Sequence, residues 1–208
     1  MICTLCPRRC GAERTETEGH GFCGMPAGVR VARAALHMWE EPPISGVNGS
    51  GTVFFSGCTL RCAYCQNGSI SAGGFGKAIT TQHLREIFDE LIAHGAHNIN
   101  LVTPTHFLPW ILPALEPKLS VPVIYNCGGY ESVDTLRTLE GKVDIYLPDL
   151  KYAGDALAGT LSAAPDYFPV AAAAIQEMFR QTGPCVQEDG LLKRGVVIRH
   201  LVLPGQLD

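Results

Sequence analysis

Cys58, Cys62 and Cys65 form a C-x3-C-x2-C run directly after the apolar stretch Thr52 to Phe55 and the short loop Ser56 and Gly57. Three thiolates on one tight loop can each bind one iron of a cubane 4Fe-4S cluster, whose corners are normally held by four cysteines. A three-cysteine loop leaves the fourth iron open, and an open iron can bind a small molecule directly. That turns an electron-transfer cluster into a catalytic one. Zinc fits the loop less well, because a structural site wants four closed ligands in paired knuckles and no second C-x2-C follows Cys65 at finger spacing. Disulfides need an oxidising compartment, and the chain opens without the basic, apolar and cleavage segments of an export signal.

A second set of thiols stands at the start of the chain. Cys3, Cys6 and Cys10 have C-x2-C-x3-C spacing with Cys23 as a distant partner, which predicts a small metal-binding leader over residues 1–30. Some thirty residues bury too little core to hold a shape without a metal or a cross-link. A closed four-thiolate site suits zinc or an auxiliary iron-sulfur cluster, and spacing leaves both open. His20, between Gly19 and Gly21, reads as a solvated loop residue, and Cys127 and Cys185 read as ordinary thiols.

The remaining elements must position the Cys58 loop. With 208 residues, 46% apolar and 17% charged, the chain can bury one main core, read here as residues 45–208. A formal net charge of -4 gives no basic footprint for nucleic acid. No apolar run approaches the roughly 18 residues of a membrane span. Nine cysteines without an export signal point to metal or redox chemistry in a reducing cytoplasm.

After the cysteine loop, strand-like and helix-like segments alternate, the pattern of a parallel α/β fold. Strands are expected at 52–55, 100–102, 122–125, 143–147 and 196–202. Thr81 is expected to cap a helix carrying Leu84, Ile87, Phe88, Leu91 and Ile92 inward and ended by Gly95, Ser132 to open another, and a third to run from Val170 to Gln181 and close at Gly183. Residues 40–43 read as a solvated connector and 73–78 as a flexible turn; His83, His94 and His97 read as surface residues. In such folds the site lies at the carboxyl ends of the strands. Cys58, Thr103 to His106, Asn126 to Glu131, and Asp149 with Lys151 all follow strands there. Spacing alone would make Asp149 and Lys151 a surface ion pair.

The Cys58 loop, with Tyr64 before its last cysteine, resembles the cluster loop of the radical S-adenosylmethionine (radical SAM) superfamily. Asp149-Leu150-Lys151 is similar to the strand-four motif of the activating enzymes of glycyl radical enzymes, and Arg199 through Gly205 to their strand-five motif. The leader further resembles that of uncharacterised relatives of the pyruvate formate-lyase activating enzyme. The resemblance implies a partial (β/α) radical SAM barrel. It implies that Tyr64 contacts the adenine of S-adenosylmethionine, that Asp149 and Lys151 position this cosubstrate, and that Arg199 meets its carboxylate. There are two departures. The family's Gly-Gly-Glu after strand two is replaced by Thr103 to His106, while Gly128 and Gly129 follow strand three instead. The chain also stops at Leu207 and Asp208 with no helix after the fifth strand, which reads as truncation and predicts an exposed apolar edge.

The expected function is reductive cleavage of S-adenosylmethionine at a 4Fe-4S cluster to a 5'-deoxyadenosyl radical. Hydrogen abstraction from a target, a protein glycyl residue by resemblance, follows. The implied partners are a low-potential electron donor such as flavodoxin or ferredoxin and a glycyl radical protein. Two other classes stay open on sequence: a two-cluster electron-transfer protein and a zinc-stabilised scaffold.

Overall fold

The computed structural model describes residues 2–205, so the chain end at Leu207 and Asp208 lies outside the described residues. Alternation sets the fold. Along β4 (Ile99–Val102), β5 (Val123–Cys127) and β6 (Ile145–Pro148) successive side chains point to opposite faces of one sheet. One face carries Ile99, Leu101, Val123, Tyr125 and Tyr146 into the main core, against Leu84, Phe88 and Leu91 of α3 (Thr81–Ala93) and Ala174 and Met178 of α7 (Tyr167–Thr182). The other face carries Ile124, Ile145 and Leu147, packed with Ile44 of α1 (Pro42–Ser45) and Leu192 of β8 (Leu191–Val196). Towards the carboxyl ends that second face becomes polar, with buried Asn100 and Asn126.

Among the described residues the sheet has eight strands in the order β3-β1-β2-β4-β5-β6-β8-β7. β2 (Ser50–Phe55), β4, β5, β6 and β8 run parallel, which makes the chain a partial β/α fold as expected. Short helices α4 (Leu108–Ala114), α5 (Val133–Arg137) and α6 (Asp155–Ser162) join α3 and α7 in the connections. α2 (Gly68–Ser71) follows the cysteine loop.

Several expectations are corrected. β1 (Val29–His37) pairs antiparallel with β2 and with β3 (Lys77–Ile79), so residues 77 and 78 belong to a strand instead of a turn. The fifth parallel strand is assigned to 191–196, earlier than expected. Hydrogen bonding to β6 nevertheless continues through Val197 N–H to Tyr146 O and Arg199 N–H to Pro148 O, both at 2.9 Å. β8 is not bare on its far side: β7 (Val186–Glu188) returns along it through Asp189 and Gly190, both at positive φ, as a two-residue hairpin requires. Ile198, Leu201 and Val202 beyond it are exposed. α3 is capped by Thr80, whose hydroxyl accepts from His83 N–H at 3.0 Å, one residue before the expected cap. Residues 40–43 are no free connector either, since Pro42 and Pro43 open α1 and Ile44 is fully buried.

Phe88 has no exposed surface while Phe75 is 66% exposed. Phe88→Ala is expected to cost about 3–5 kcal/mol of unfolding free energy and Phe75→Ala less than about 0.5, read from denaturant midpoints.

Candidate active site

The cysteine loop leaves the carboxyl end of β2 under restraint from three directions. Ser56 O is met by Nε2 of His106, at 2.7 Å, and Ser56 Oγ donates to Phe75 O at 2.7 Å. Burial lowers His106 to about 4, so its imidazole is neutral and Nε2 carries the proton it donates to that carbonyl. His106 therefore holds backbone. Gly57 has φ +79°, and a Cβ there would lie 2.4 Å from Met25 Cγ and 3.0 Å from Cys23 O. Only glycine lets the leader press this closely on the loop.

The three loop sulfurs are free thiols, and each accepts at least one hydrogen bond. Leu60 N–H donates to Cys58 Sγ at 3.3 Å, Ser162 Oγ to Cys62 Sγ at 2.9 Å, and Ser71 Oγ to Cys65 Sγ at 3.4 Å. Burial pushes the Cys58 thiol up; the backbone N–H groups of Arg61 and Leu60 oppose that, and Cys62 and Cys65 are close enough to add to the rise. Tyr64 packs edge-on to Tyr152, with ring centroids 6.4 Å apart.

Across the mouth stands a charged set. The Asp149 carboxylate meets Lys151 Nζ at 2.5 Å and Arg199 Nε at 3.0 Å, with the Lys151 side chain 14% exposed and that of Asp149 22%. Burial acts to lower Lys151, but Asp149, and more weakly Cys62 and Cys58, outweigh it and its pKa is raised. These two residues thus face the cysteine loop and not bulk solvent. Arg199 also donates to Asn126 Oδ1 at 2.6 Å and reaches Glu40 Oε2 at 3.3 Å. The Glu40 side chain is 10% exposed, and its carboxyl is raised by burial against the pull of Arg199. His200 is exposed, with Nδ1 2.6 Å from Leu150 O.

Two backbone features shape this mouth. Thr103 has φ +58°, a region β-branched residues rarely take, and its N–H donates to Asn126 O at 2.8 Å. Gly129 has φ +79°, and a Cβ there would lie 2.1 Å from Asp149 O. The β5 and β6 ends can therefore close on each other. The Tyr167 hydroxyl fixes that closure, 2.8 Å from both Gly128 O and Asp149 O while accepting from Lys151 N–H at 2.9 Å.

The leader docks on this end of the sheet. Arg8 donates from Nε to Thr59 O at 2.9 Å, from NH2 to Ser162 O at 2.7 Å and from NH1 to Ala163 O, and its guanidinium lies 3.9 Å from the Phe22 ring centroid. Arg14, 3% exposed, donates to Met25 O and to His106 O. Thr135 Oγ1 donates to Leu5 O at 2.7 Å, and Cys23 and Met25 join the main core. Burial pushes the Cys6 thiol up to about 12, with Glu131, Cys23 and Cys3 near enough to contribute. Burial likewise raises Cys23, beside Cys3 and Cys10. Cys6 thus lies near Cys23 and Cys3, and Cys23 near Cys3 and Cys10, and none of the four is in a disulfide. Among the described residues no three His, Cys, Asp or Glu side chains converge tightly enough to hold a single metal ion.

The loop suits a cubane, which spreads its thiolates over separate irons. A buried polar atom without a partner supports a ligand in the mouth: Asn100 Oδ1, on the polar face beside Glu40. The sequence reading missed Glu40, Ser162 and Arg8, and placed Asn126 at the mouth without a role. The Val29, Val31 alternation could have revealed the strand that delivers Glu40.

A sequence model of the radical SAM superfamily matches residues 52–184, and the chain belongs to that superfamily. It is also 32% identical, over 217 aligned residues, to an uncharacterised protein of Methanocaldococcus jannaschii, MJ0674. That alignment covers 99% of this chain and 58% of the relative, so the chain spans little more than half the relative's length. No helix among the described residues is long and apolar enough to cross a membrane.

Glu131 is 2% exposed, accepts from Thr105 Oγ1 at 2.9 Å and Tyr125 OH at 3.1 Å, and burial raises its pKa from 4.5 to about 7. A raised carboxyl contributes stability that is full below pH 4.5 and lost as pH rises through about 7. Relative to Glu131→Gln, the wild type is expected to lose on the order of a few kcal/mol across that window, measured by denaturant unfolding at each pH.

Proposed function

We propose that this protein holds a 4Fe-4S cubane on Cys58, Cys62 and Cys65, cleaves S-adenosylmethionine reductively, and uses the resulting radical to abstract hydrogen from a target. The observation that carries this reading is the juxtaposition of three free thiols at the end of β2 with the Asp149, Lys151 and Arg199 set at the ends of β6 and β8. When bound together, cluster and cosubstrate supply one-electron cleavage of a carbon-sulfur bond and a 5'-deoxyadenosyl radical.

The residues of the chain bind and orient. The methionine part of the cosubstrate is a zwitterion, and the mouth offers two acids, Glu40 and Asp149, with two bases, Lys151 and Arg199. Arg199 and Lys151 receive the carboxylate, because a guanidinium and an ammonium both favour that partner. Glu40 and Asp149 receive the ammonium in place of the missing Gly-Gly-Glu. Tyr64, beside Cys65, contacts the adenine. Resemblance to the activating enzymes supports a protein glycyl residue as target and a flavodoxin or ferredoxin as electron donor. The proximity of the leader thiols supports a second iron-sulfur cluster on Cys3, Cys6, Cys10 and Cys23 over a single zinc ion, for which no three side chains converge among the described residues.

Anaerobic reconstitution followed by a 5'-deoxyadenosine assay tests the reading. The wild type is expected to form the product under reduction, and Cys58→Ala, Cys62→Ala and Cys65→Ala to form none. Product from the triple variant would refute it. Asp149→Ala should weaken S-adenosylmethionine binding about 10- to 100-fold while iron content holds, since it releases two buried cations from a charge-assisted partner. In metal analysis, Cys23→Ala should lose the leader's metal and retain the iron of the Cys58 loop; unchanged metal content would remove the leader centre.

A further inference from the structure

The hydrogen bond on Cys62 differs from the other two. The donors to Cys58 and Cys65 come from the loop itself and the short helix after it, whereas Ser162 ends α6, 100 residues away in sequence. It is also the shortest of the three. Ser162 is 2% exposed, and the Tyr152 hydroxyl lies 2.5 Å from its Oγ. A serine hydroxyl has one proton and two lone pairs. Directed at Cys62, that proton leaves a lone pair for the proton of Tyr152, so two hydroxyls form a relay that ends on one sulfur, with the Tyr152 and Tyr64 phenols also beside that sulfur.

The backbone of Ser162 is fixed from the leader. Arg8 NH2 takes Ser162 O, NH1 takes the next carbonyl, Ala163 O, and Nε takes Thr59 O beside Cys58. Ala163 has φ +49°, so the helix ends in a left-handed turn that presents these carbonyls to the guanidinium. One leader side chain thus ties the cysteine loop to the residue that donates to Cys62.

We propose that Ser162 sets the reduction potential of the cluster by donating to the Cys62 thiolate, with Tyr152 and the leader's Arg8 as its positioning residues. This rests on the cluster reading above. An iron-bound thiolate is a stronger acceptor than the free thiol seen here. The donor dipole stabilises negative charge at the sulfur, and the reduced cluster carries one electron more than the oxidised one. The hydrogen bond therefore favours the reduced state and raises the potential.

The test is a redox titration of the reconstituted full chain, followed by the electron paramagnetic resonance signal of the reduced cluster, with iron content measured on each sample. Ser162→Ala is expected to keep its iron and shift the midpoint to more negative potential, and Ser162→Thr to return it toward the wild type. Tyr152→Phe, which leaves Ser162 in place, should shift it less in the same direction. Arg8→Gln should also shift it negatively. Wild-type potentials in both Ser162→Ala and Tyr152→Phe at full iron content would overturn the inference alone. Should Ser162→Ala lose its cluster, Tyr152→Phe decides, and an unmoved midpoint there overturns it. A wild type that takes up no cubane on the loop overturns the cluster reading together with the inference.

Discussion

The Asp149 carboxylate, with Lys151 on one oxygen and Arg199 on the other, is the interaction on which the open end of the sheet depends. A carboxylate this enclosed is tolerated only if its charge is matched, because desolvation penalises an unpaired ion by several kcal/mol. Matching it draws together the ends of β6 and of the extension of β8. Asn126 and Glu40 then take the remaining faces of the Arg199 guanidinium, which brings in β5 and the segment after β1. Four separate parts of the chain thus converge on two cations. Each such group also has capacity beyond its present partner, which is what a site for a charged small molecule requires.

The leader shows a second way to fix a structure without a core of its own. It offers few apolar side chains, and its attachment relies on guanidinium groups that each satisfy several backbone carbonyls. Arg8 spans the cysteine loop and the end of α6; Arg14 spans the leader and the segment carrying His106. A planar fork with five donors suits this task, and a lysine in its place could not reach three carbonyls in fixed directions. The consequence is continuity: Cys23 and Met25 pack into the main core, and Gly57 exists to let them in.

The sequence by itself determined the cysteine loop, the alternation of parallel strands and helices, and the side of the sheet on which Cys58, Asp149 and Lys151 must fall. These rest on local rules: short spacing fixes which thiols share a loop, and the order of strands and helices puts the carboxyl ends of the parallel strands at one mouth. Only the tertiary structure decided the roles of Glu40, Asn126, Ser162 and Arg8. Glu40 reads as solvated because its neighbours are polar and proline-rich, yet it is buried by a guanidinium 159 positions along the chain. Ser162 ends an eight-residue helix with no motif around it, and its hydroxyl gains meaning only from a sulfur brought to 2.9 Å by folding. Asp189 and Gly190 carry the signal of a two-residue hairpin, in a stretch where the sequence reading placed no strand. The difference is physical: spacing reports partners within a turn or a strand, whereas a hydrogen bond between distant segments depends on how whole elements pack.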